Sequence, residues 1–406
     1  MWVEEFQDSK GNTKYRFYER YIDPVNGKRK RTSVVMNKNT RQSEKEAQKR
    51  LNDRIDDKIK SSKSYVPGAD ALTFHQLIDE WLDHYIRTSG SKRSTVLMKT
   101  SKVSTIKKGI ADDILAKRMN SKVVQDFIDH LEAKNYNQKV IQTFFNIIQN
   151  VLKYGRKRYK LPDAVYLEDV VIAKKAPQRE EMLAKRNNYL EMEQLYALVD
   201  AINTIGKGKR NGYARHAYFM CAYIAEFQAL NGMRIGELLA IQPDNIDFDN
   251  KKLVIDGTIL WVREGSEYGF KDTTKTSASY RTISLTSRSI EILEKVILEN
   301  KKLKQWEENY QDRGFLFVDY KGNPISKSTA NRCLKAGAER IGLDKKVTTH
   351  TLRHTHISLL SQLGVSLKAI MERVGHSDHK TTLQIYSHVT EKMDKEMMEK
   401  LEKVGS

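Results

Sequence analysis

The sequence is poor in cysteine, and it lacks both a long apolar run and a secretion signal. Its 406 residues include two cysteines, Cys221 and Cys333, so neither a disulfide framework nor a cysteine-based zinc site supports the fold. No apolar run approaches the roughly 20 residues that a membrane-spanning helix needs. The N-terminus, MWVEEFQDSK, does not have the basic and then apolar layout of a signal peptide. These absences predict a protein of the reducing bacterial cytoplasm with no membrane partner.

Acidic residues are also outnumbered. Lysine and arginine total 71 against 52 aspartate and glutamate, which gives a net charge of +19 and a pI near 9.5. Such an excess favours a polyanionic partner, because each phosphate that a cation neutralises releases condensed counterions. A merely soluble basic protein is the other interpretation. The chain is also longer than a single core usually organises, so we expect two or three domains.

Residues 1 to about 65 predict a small sheet with one helix. Alternating apolar and charged residues predict strands at 2–6, 15–22 and 32–36. Ser43 and Glu46 have capping-box spacing at the start of a predicted helix over 43–59. The run Lys28-Arg29-Lys30-Arg31 follows the second predicted turn. Either it is solvated at a strand edge, or it holds phosphates while the sheet enters a major groove.

Residues 61–68 have the composition of a linker, and 72–160 carry helical periodicity without a convincing strand. Apolar stripes in this part predict a bundle of four helices. Basic residues crowd its first half and the end of its last helix, where they would position DNA through phosphates rather than read its sequence. The candidate DNA-binding residues of the two modules are Lys28, Arg29, Lys30, Arg31, Lys92, Arg93, Arg156, Lys157 and Arg158.

A larger α-rich domain is predicted after a second linker that ends near residue 186. It contains a β-like region at 253–285, and Phe315-Leu316-Phe317 is expected to form a short strand. The segment Gly232-Met233-Arg234, with Glu237 three residues later, interrupts an apolar run. By itself it fits a helix break that carries a surface arginine. The predicted fold class is therefore multidomain, mainly α with small β-sheets.

The last sixty residues hold six of the ten histidines. His350 and His354 have the i, i+4 spacing that puts two imidazoles on one helix face, and with His376 or His379 they could bind a metal. No carboxylate or cysteine lies nearby at ligand spacing, and Arg353 would place a fixed charge beside the ion. We therefore expect no metal and no cofactor.

The order and spacing of residues in this segment resemble the tyrosine recombinases of the phage integrase family. His350-Thr351-Leu352-Arg353 is similar to the H-x-x-R motif of that family, and Val374-Gly375-His376-Ser377 is similar to its G-H-S motif. Tyr386, ten residues after His376, stands where the family has its nucleophilic tyrosine. The resemblance extends by motif from about residue 190 to the end, and by architecture over the rest.

Two earlier segments also resemble family motifs. Gly232 to Leu238 is similar to G-x-R-x-x-E-L, which implies that Arg234 binds phosphate and that Glu237 orients Arg234. The pattern K-T-x-x-S-x-R implies that Lys275 is the catalytic hairpin lysine and that Arg281 is structural. Residue chemistry alone does not separate Lys275 from Lys271.

The resemblance implies a complete mechanism. Tyr386 would attack a phosphodiester and form a 3′-phosphotyrosyl link, while the two motif arginines hold the non-bridging oxygens. His350 would act as acid or base beside the tyrosine, Lys275 would protonate the leaving 5′ oxygen, and His376 would donate a hydrogen bond to the phosphate. Help of this kind is needed because a free phenol has a pKa of about 10.

The resemblance also implies an organisation and a set of partners. Residues 1–65 would bind arm sites, 70–172 core sites, and 180–406 would form the catalytic domain with a C-terminal tail helix. Integrases of Gram-positive phages and conjugative transposons share this plan. The expected partners are double-stranded DNA, three further copies in a tetramer that resolves a Holliday junction, and an excisionase or DNA-bending protein. The expected function is integration and excision of a mobile element.

Two other functions use some of the same features. A DNA-binding regulator that never cuts would be equally basic, but it needs no tyrosine at position 386. A type IB topoisomerase shares the chemistry, but it needs neither the basic N-terminal module nor a detachable tail. The tail itself has an apolar stripe at helical spacing, formed by Met393, Met397, Leu401 and Val404, which in the family commonly docks onto a neighbouring subunit.

Overall fold

The computed structural model describes residues 1–9, 11–22, 29–60, 69–173, 187–273, 279–375 and 380–404. The chain divides into two compact units, Met1–Lys175 and Ala176–Ser406. The described residues are mainly helical with small antiparallel sheets, which confirms the predicted fold class. Among them, no helix is both long and apolar enough to cross a membrane.

The first unit begins with a three-stranded antiparallel sheet and one helix. The strands are β1 Trp2–Gln7, β2 Thr13–Ile22 and β3 Arg29–Met36, in that order in the sheet, and the helix is α1 Arg41–Lys60. This confirms the predicted strands and helix. Phe17 and Val34 on one sheet face are buried against Ala47 and Leu51 of α1.

The predicted cap of α1 is wrong. The helix begins at Arg41, and the backbone N–H of Ser43 donates to Thr40 Oγ1 over 3.3 Å. Thr40 therefore supplies the capping oxygen, and Ser43 lies in the first turn.

The four predicted helices follow in the same unit. They are α2 Phe74–Thr88, α3 Arg93–Gly109, α4 Ser121–Ala133 and α5 Gln138–Tyr159. Thr73 and Gln76 form a capping box at the start of α2, and Asn120 caps α4. Their apolar stripes bury a second core around Phe74, Phe127 and Ile148. The linker predicted at 61–68 lies outside the described residues.

The second unit contains eight α-helices in its described part. They are α6 Met192–Lys207, α7 Gly212–Asn231, α8 Ile235–Leu239, α9 Ser287–Trp306, α10 Lys327–Arg340, α11 Thr349–Gln362, α12 Leu367–Val374 and α13 Lys380–Val404. One large core joins α6 to α11 and includes Phe227 and Leu352. A smaller one, around Ile357, Ile370 and Ile385, holds α11, α12 and α13 together.

Two small sheets lie within this unit, as the β-like pattern predicts. Strands β4 Ile246–Asp247, β5 Lys252–Ile255 and β8 Arg281–Ser284 form one sheet, and β6 Gly257–Glu264 pairs with β7 Glu267–Thr273 in the other.

The strand predicted at Phe315-Leu316-Phe317 is wrong. These residues are buried, but their backbone is irregular. The N–H of Leu316 donates to Ile241 O, and Phe317 O accepts from the N–H of Ile325. The backbone is thus satisfied by loops instead of a strand ladder, which an apolar pattern alone cannot distinguish.

Candidate active site

A tight turn places Arg234. Helix α7 ends at Asn231, and Gly232 adopts a left-handed conformation with φ 71°, while its N–H donates to Gln228 O over 2.7 Å. A Cβ at Gly232 would lie 2.2 Å from Cδ2 of His356. Glycine is therefore required here for both its backbone angle and its lack of a side chain. Two residues later Arg234 caps the start of α8.

Glu237 joins two arginines. Its Oε1 accepts from the guanidinium of Arg234 over 2.8 Å, and its Oε2 accepts from Arg281 over 3.0 Å. Burial alone would raise the pKa of Glu237, but the charges of Arg281 and Arg234 outweigh it and lower that pKa below its ordinary value. The carboxylate therefore stays ionised and holds the guanidinium of Arg234 in a fixed direction.

Arg281 fills a gap between three parts of the unit. Besides Glu237, it donates to the carbonyl oxygens of Arg373, over 2.7 Å, and of Ser279, over 3.0 Å. The side chain of Arg281 is only 8% exposed, and its guanidinium binds other groups of the protein. This geometry supports the structural role expected for it.

Arg353 lies in the second turn of α11 and is almost completely buried. Its two terminal nitrogens donate to Gly232 O and Val374 O, each over 2.8 Å. Burial, followed by repulsion from Arg234, lowers the pKa of the Arg353 guanidinium. Two neutral carbonyl acceptors and Glu237 nearby are what make a cation tolerable at this depth.

His350 precedes Arg353 by one helical turn. Its side chain is exposed at the surface. Partial loss of hydration, and then the charges of Lys327, Arg353 and Arg234, lower the pKa of His350 below its ordinary value. The imidazole is therefore mainly neutral at pH 7 and able to accept a proton.

The alternative metal site would need His354 beside His350. Nδ1 of His354 lies 3.3 Å from the carbonyl oxygen of Asn188, so one ring nitrogen is engaged by backbone. No group of candidate metal ligands occurs in the part of the chain that the structure describes, and His376 and His379 lie outside that part.

Tyr386 lies on α13, the helix that follows the G-H-S segment. Its ring is half-buried and packs on the small core that α11 and α12 share, while Ile385 and Val389 on either side are fully buried there. The tyrosine is therefore attached to the same core as the helix that carries His350 and Arg353.

Of the two hairpin lysines, Lys271 is already fully engaged. Its Nζ donates to Gln242 Oε1 and Asn245 Oδ1 over 3.1 Å each and pairs with Asp256 over 2.9 Å. An ammonium group with three oxygen partners holds structure together. Lys275 lies outside the described residues, so its assignment continues to rest on the motif.

Comparison with known proteins identifies the family. The model of the phage integrase family matches residues 188–393. The integrase of Staphylococcus phage L54a is 43% identical over 358 residues, which cover 87% of this chain and 99% of that protein. The chain belongs to the phage integrase family. It is a tyrosine-type site-specific recombinase, an enzyme that acts on DNA.

Solved structures share the fold of this integrase. The integrase of transposon Tn1549 in complex with a circular intermediate DNA has a TM-score of 0.58 at 19% identity, over 81% of this chain and 99% of that one. A lambda integrase tetramer bound to a Holliday junction has a TM-score of 0.51 at 16% identity, over 93% and 96%.

The N-terminal sheet of the integrase has an open face that sequence reasoning identified only in part. Strand pairing puts Arg29 and Arg31 on the face opposite α1 and Lys30 on the face toward it, while Lys28 lies outside the described residues. Arg16, Arg20 and the aromatic residues below share the open face. Trp2 stacks on Tyr18 with 5.2 Å between ring centroids, Arg20 lies over Trp2, Arg31 over Tyr18 and Arg16 over Phe6.

Strict alternation along β2 could have found this face. Arg16, Tyr18 and Arg20 are every second residue of one strand, and a period of two puts them together. What the sequence could not supply is the register that brings Trp2 and Arg31 beside them.

In the helical bundle, several basic residues have partners within the protein. Arg156 pairs with Asp163 over 2.7 Å, and Arg158 lies over the ring of Tyr159. Lys92 and Arg93 stand at the start of α3. Arg156 and Lys157 also line a surface hollow together with Lys153, Lys160 and Leu161. Contact of these residues with DNA remains a prediction.

Proposed function

We propose that Tyr386 is the nucleophile of this integrase and that five further residues activate the phosphate and move protons. Oη of Tyr386 attacks the scissile phosphorus, the bond from phosphorus to the 5′ oxygen breaks, and a 3′-phosphotyrosyl link remains. A 5′-hydroxyl of another strand reverses the step. The energy of the broken bond is kept in the new one, so the reaction needs no nucleotide cofactor.

The observation that carries this proposal is the convergence of the two arginines. Arg353 donates to Val374 O, and Arg234 donates to the next carbonyl, Gly375 O, over 3.0 Å. Both guanidiniums are thus tied to the backbone just before His376. Two fixed positive charges held on consecutive carbonyl oxygens suit one phosphate whose negative charge grows in the transition state.

Proton transfer is assigned to His350 and Lys275. Because the lowered pKa leaves His350 mainly neutral, it takes the proton of the Tyr386 hydroxyl. Lys275 gives a proton to the leaving 5′ oxygen. His376 donates a hydrogen bond to a phosphate oxygen.

The three separate cores support a division of labour. The sheet module, 1–65, binds arm sites through its open face, the bundle, 70–172, binds core sites, and 180–406 performs the chemistry. Four copies assemble on two DNA duplexes in the bacterial cytoplasm, as the lambda integrase tetramer does on a Holliday junction. An excisionase or DNA-bending protein sets the direction in which a mobile element moves.

The test is to trap the covalent intermediate. A nicked DNA substrate that loses its 5′-hydroxyl fragment after cleavage should accumulate protein–DNA adduct, and mass spectrometry of the digested adduct should place the nucleotide on Tyr386. Tyr386→Phe should bind the same DNA and give no adduct. An adduct on another tyrosine, or one formed by the variant, would overturn the assignment.

A further inference from the structure

His356 contacts two parts of the candidate active site, one through a backbone carbonyl and one through a side chain, and it belongs to no motif noted in the sequence. It lies on α11, one turn after Arg353, and is 2% exposed. Its Nδ1 lies 3.0 Å from Ala229 O, and its Nε2 accepts from Nε of Arg373 over 3.1 Å.

These two contacts fix the state of the ring. A carbonyl oxygen can only accept, so Nδ1 carries the hydrogen, and Nε2 offers its lone pair to the guanidinium of Arg373. Burial, and then the charge of Arg373, lower the pKa of His356 to about 3. The imidazole therefore stays neutral throughout the range in which the enzyme could work, and it has no proton to exchange with a substrate.

The two partners of His356 lead directly to the catalytic arginines. Ala229 is in the last turn of α7, whose end turns through Gly232 to Arg234. Arg373 immediately precedes Val374 and Gly375, whose carbonyl oxygens accept from Arg353 and Arg234.

Arg373 is itself fixed from two further directions. Its terminal nitrogens each lie 3.2 Å from Ser284 O on β8, and its own carbonyl oxygen accepts from Nε of Arg281. Because these contacts hold Arg373 in place, its guanidinium does not move with the ring of His356 if that ring is displaced.

Packing reinforces the hydrogen bonds. The imidazole of His356 fills the space that a side chain at Gly232 would need. Gly232 in turn supplies a carbonyl acceptor to Arg353. A shift of the ring would consequently move the acceptor of one arginine and the turn that carries the other.

We infer that His356 is a positioning residue that sets the distance between the two phosphate-binding arginines by joining Ala229 to Arg373. It does not touch DNA or the reacting atoms. The inference rests on the proposed roles of Arg234 and Arg353. The inference goes beyond those roles, because it states that the neutral imidazole of His356 aligns the two arginines.

The test compares substitutions at one position in the full-length protein. His356→Phe keeps a ring but removes both hydrogen bonds, and it should slow single-turnover cleavage by about 10- to 100-fold, as expected for misplaced catalytic groups. DNA affinity should stay within about twofold, because basic residues elsewhere carry it. His356→Gln restores an acceptor for Arg373 and should recover about 3-fold or more of the lost rate, which is the effect of one hydrogen bond.

A matched control separates positioning from stability. His216 of α7 also has a ring nitrogen close to a backbone carbonyl: its Nε2 lies 2.9 Å from Val318 O. His216→Phe should lower the melting temperature and leave the cleavage rate unchanged. Should His356→Phe fail to fold, Arg373→Met replaces it in the test, because it removes the same hydrogen bond from the other end, together with the two contacts to Ser284 O.

A double-mutant cycle decides the mechanism. If His356 acts by aligning Arg234, then His356→Phe should cause little further loss in an Arg234→Ala background. A wild-type rate for His356→Phe, or losses that add fully in the cycle, would overturn the inference while leaving the arginine assignment intact. A wild-type rate for Arg234→Ala by itself would instead overturn the proposed function.

Discussion

Arg234 and Arg353 donate to the carbonyl oxygens of consecutive residues, yet they differ sharply in burial. The side chain of Arg234 is 39% exposed, whereas Arg353 is 3% exposed. The guanidinium of Arg234 is therefore partly open to solvent, whereas that of Arg353 is enclosed by protein.

Alanine at either position should lower cleavage, but alanine at Arg353 should also destabilise the protein. We expect about 10²- to 10³-fold slower cleavage for each variant, as for loss of one oxyanion donor. Arg353→Ala leaves two buried carbonyl oxygens without donors, at about 1–3 kcal/mol each. In Arg234→Ala the carboxylate of Glu237 keeps Arg281. Single-turnover cleavage and thermal melting of both variants check this, and equal melting temperatures would contradict it.

The lowered pKa of His350 predicts the acid side of the pH profile. If His350 accepts the proton of the tyrosine, the cleavage rate should fall as pH drops through a pKa below the ordinary value for histidine. Lys327→Ala removes a positive charge that opposes protonation, so it should raise the pKa of His350 and shift the acid limb to higher pH. His350→Gln should remove this limb. A limb that does not move in Lys327→Ala would mean that another group titrates.

The two hairpin lysines should separate cleanly in experiment. Lys275→Ala should slow cleavage by about 10²- to 10⁴-fold, the range for loss of a general acid. Lys271→Ala should lower the melting temperature, because Asp256, Gln242 and Asn245 lose their shared partner. A substrate with sulfur in place of the 5′ oxygen needs no proton on leaving, so it should restore cleavage by Lys275→Ala but not by Arg234→Ala. If that substrate does not restore cleavage by Lys275→Ala, then Lys275 is not the general acid.

Local patterns predicted much of this molecule because their physics is local. Alternation gave the strands of the N-terminal sheet, and helical stripes gave the four-helix bundle. The pairing of Arg234 with Glu237, which the structure shows, was implied by the resemblance to the family motif and not by the local pattern. Lys275 and His376 lie outside the described residues, so their roles rest on the motifs.

The rest of the site depends on contacts between distant residues. The sequence around Glu237 does not indicate that it pairs with Arg281. The sequence around Arg353 likewise does not indicate that Gly232 and Val374 supply its acceptors. The same limit explains the wrong strand at 315–317, because an apolar pattern does not identify the backbone partners.

The split of the basic run between two sheet faces predicts unequal effects of neighbouring charges. Arg31→Ala, on the open face, should weaken binding to one class of DNA site and reduce the salt dependence of binding by about one phosphate contact. Lys30→Ala removes the same charge from the face toward α1 and serves as the control. Cleavage at core sites should be unchanged in both variants. If both variants lose the same amount of DNA affinity, then the face of the sheet on which a basic residue lies does not determine whether it contacts DNA.

The C-terminal helix should divide into a part needed for folding and a part needed for assembly. Helix α13 runs without interruption from Lys380 to Val404. Ile385 and Val389 are buried against α11 and α12, whereas Met393 beyond them is 39% exposed. We therefore expect that removal of residues 391–406 leaves the melting temperature nearly unchanged, because the buried anchors precede the cut. It should weaken tetramer formation on DNA and misregulate cleavage, because a cyclic contact between subunits is lost.

Val389→Ala provides the opposite case. It truncates a buried side chain in the same helix and should cost roughly 2 kcal/mol of stability. Gel-shift stoichiometry and thermal melting of the two proteins distinguish the outcomes. A truncated protein that still forms tetramers would reject docking onto a neighbour, since residues 391–406 would then be unnecessary for assembly. A truncated protein that melts as low as Val389→Ala would show instead that the tail packs on its own domain, so that its apolar residues stabilise the fold and not the contact between subunits.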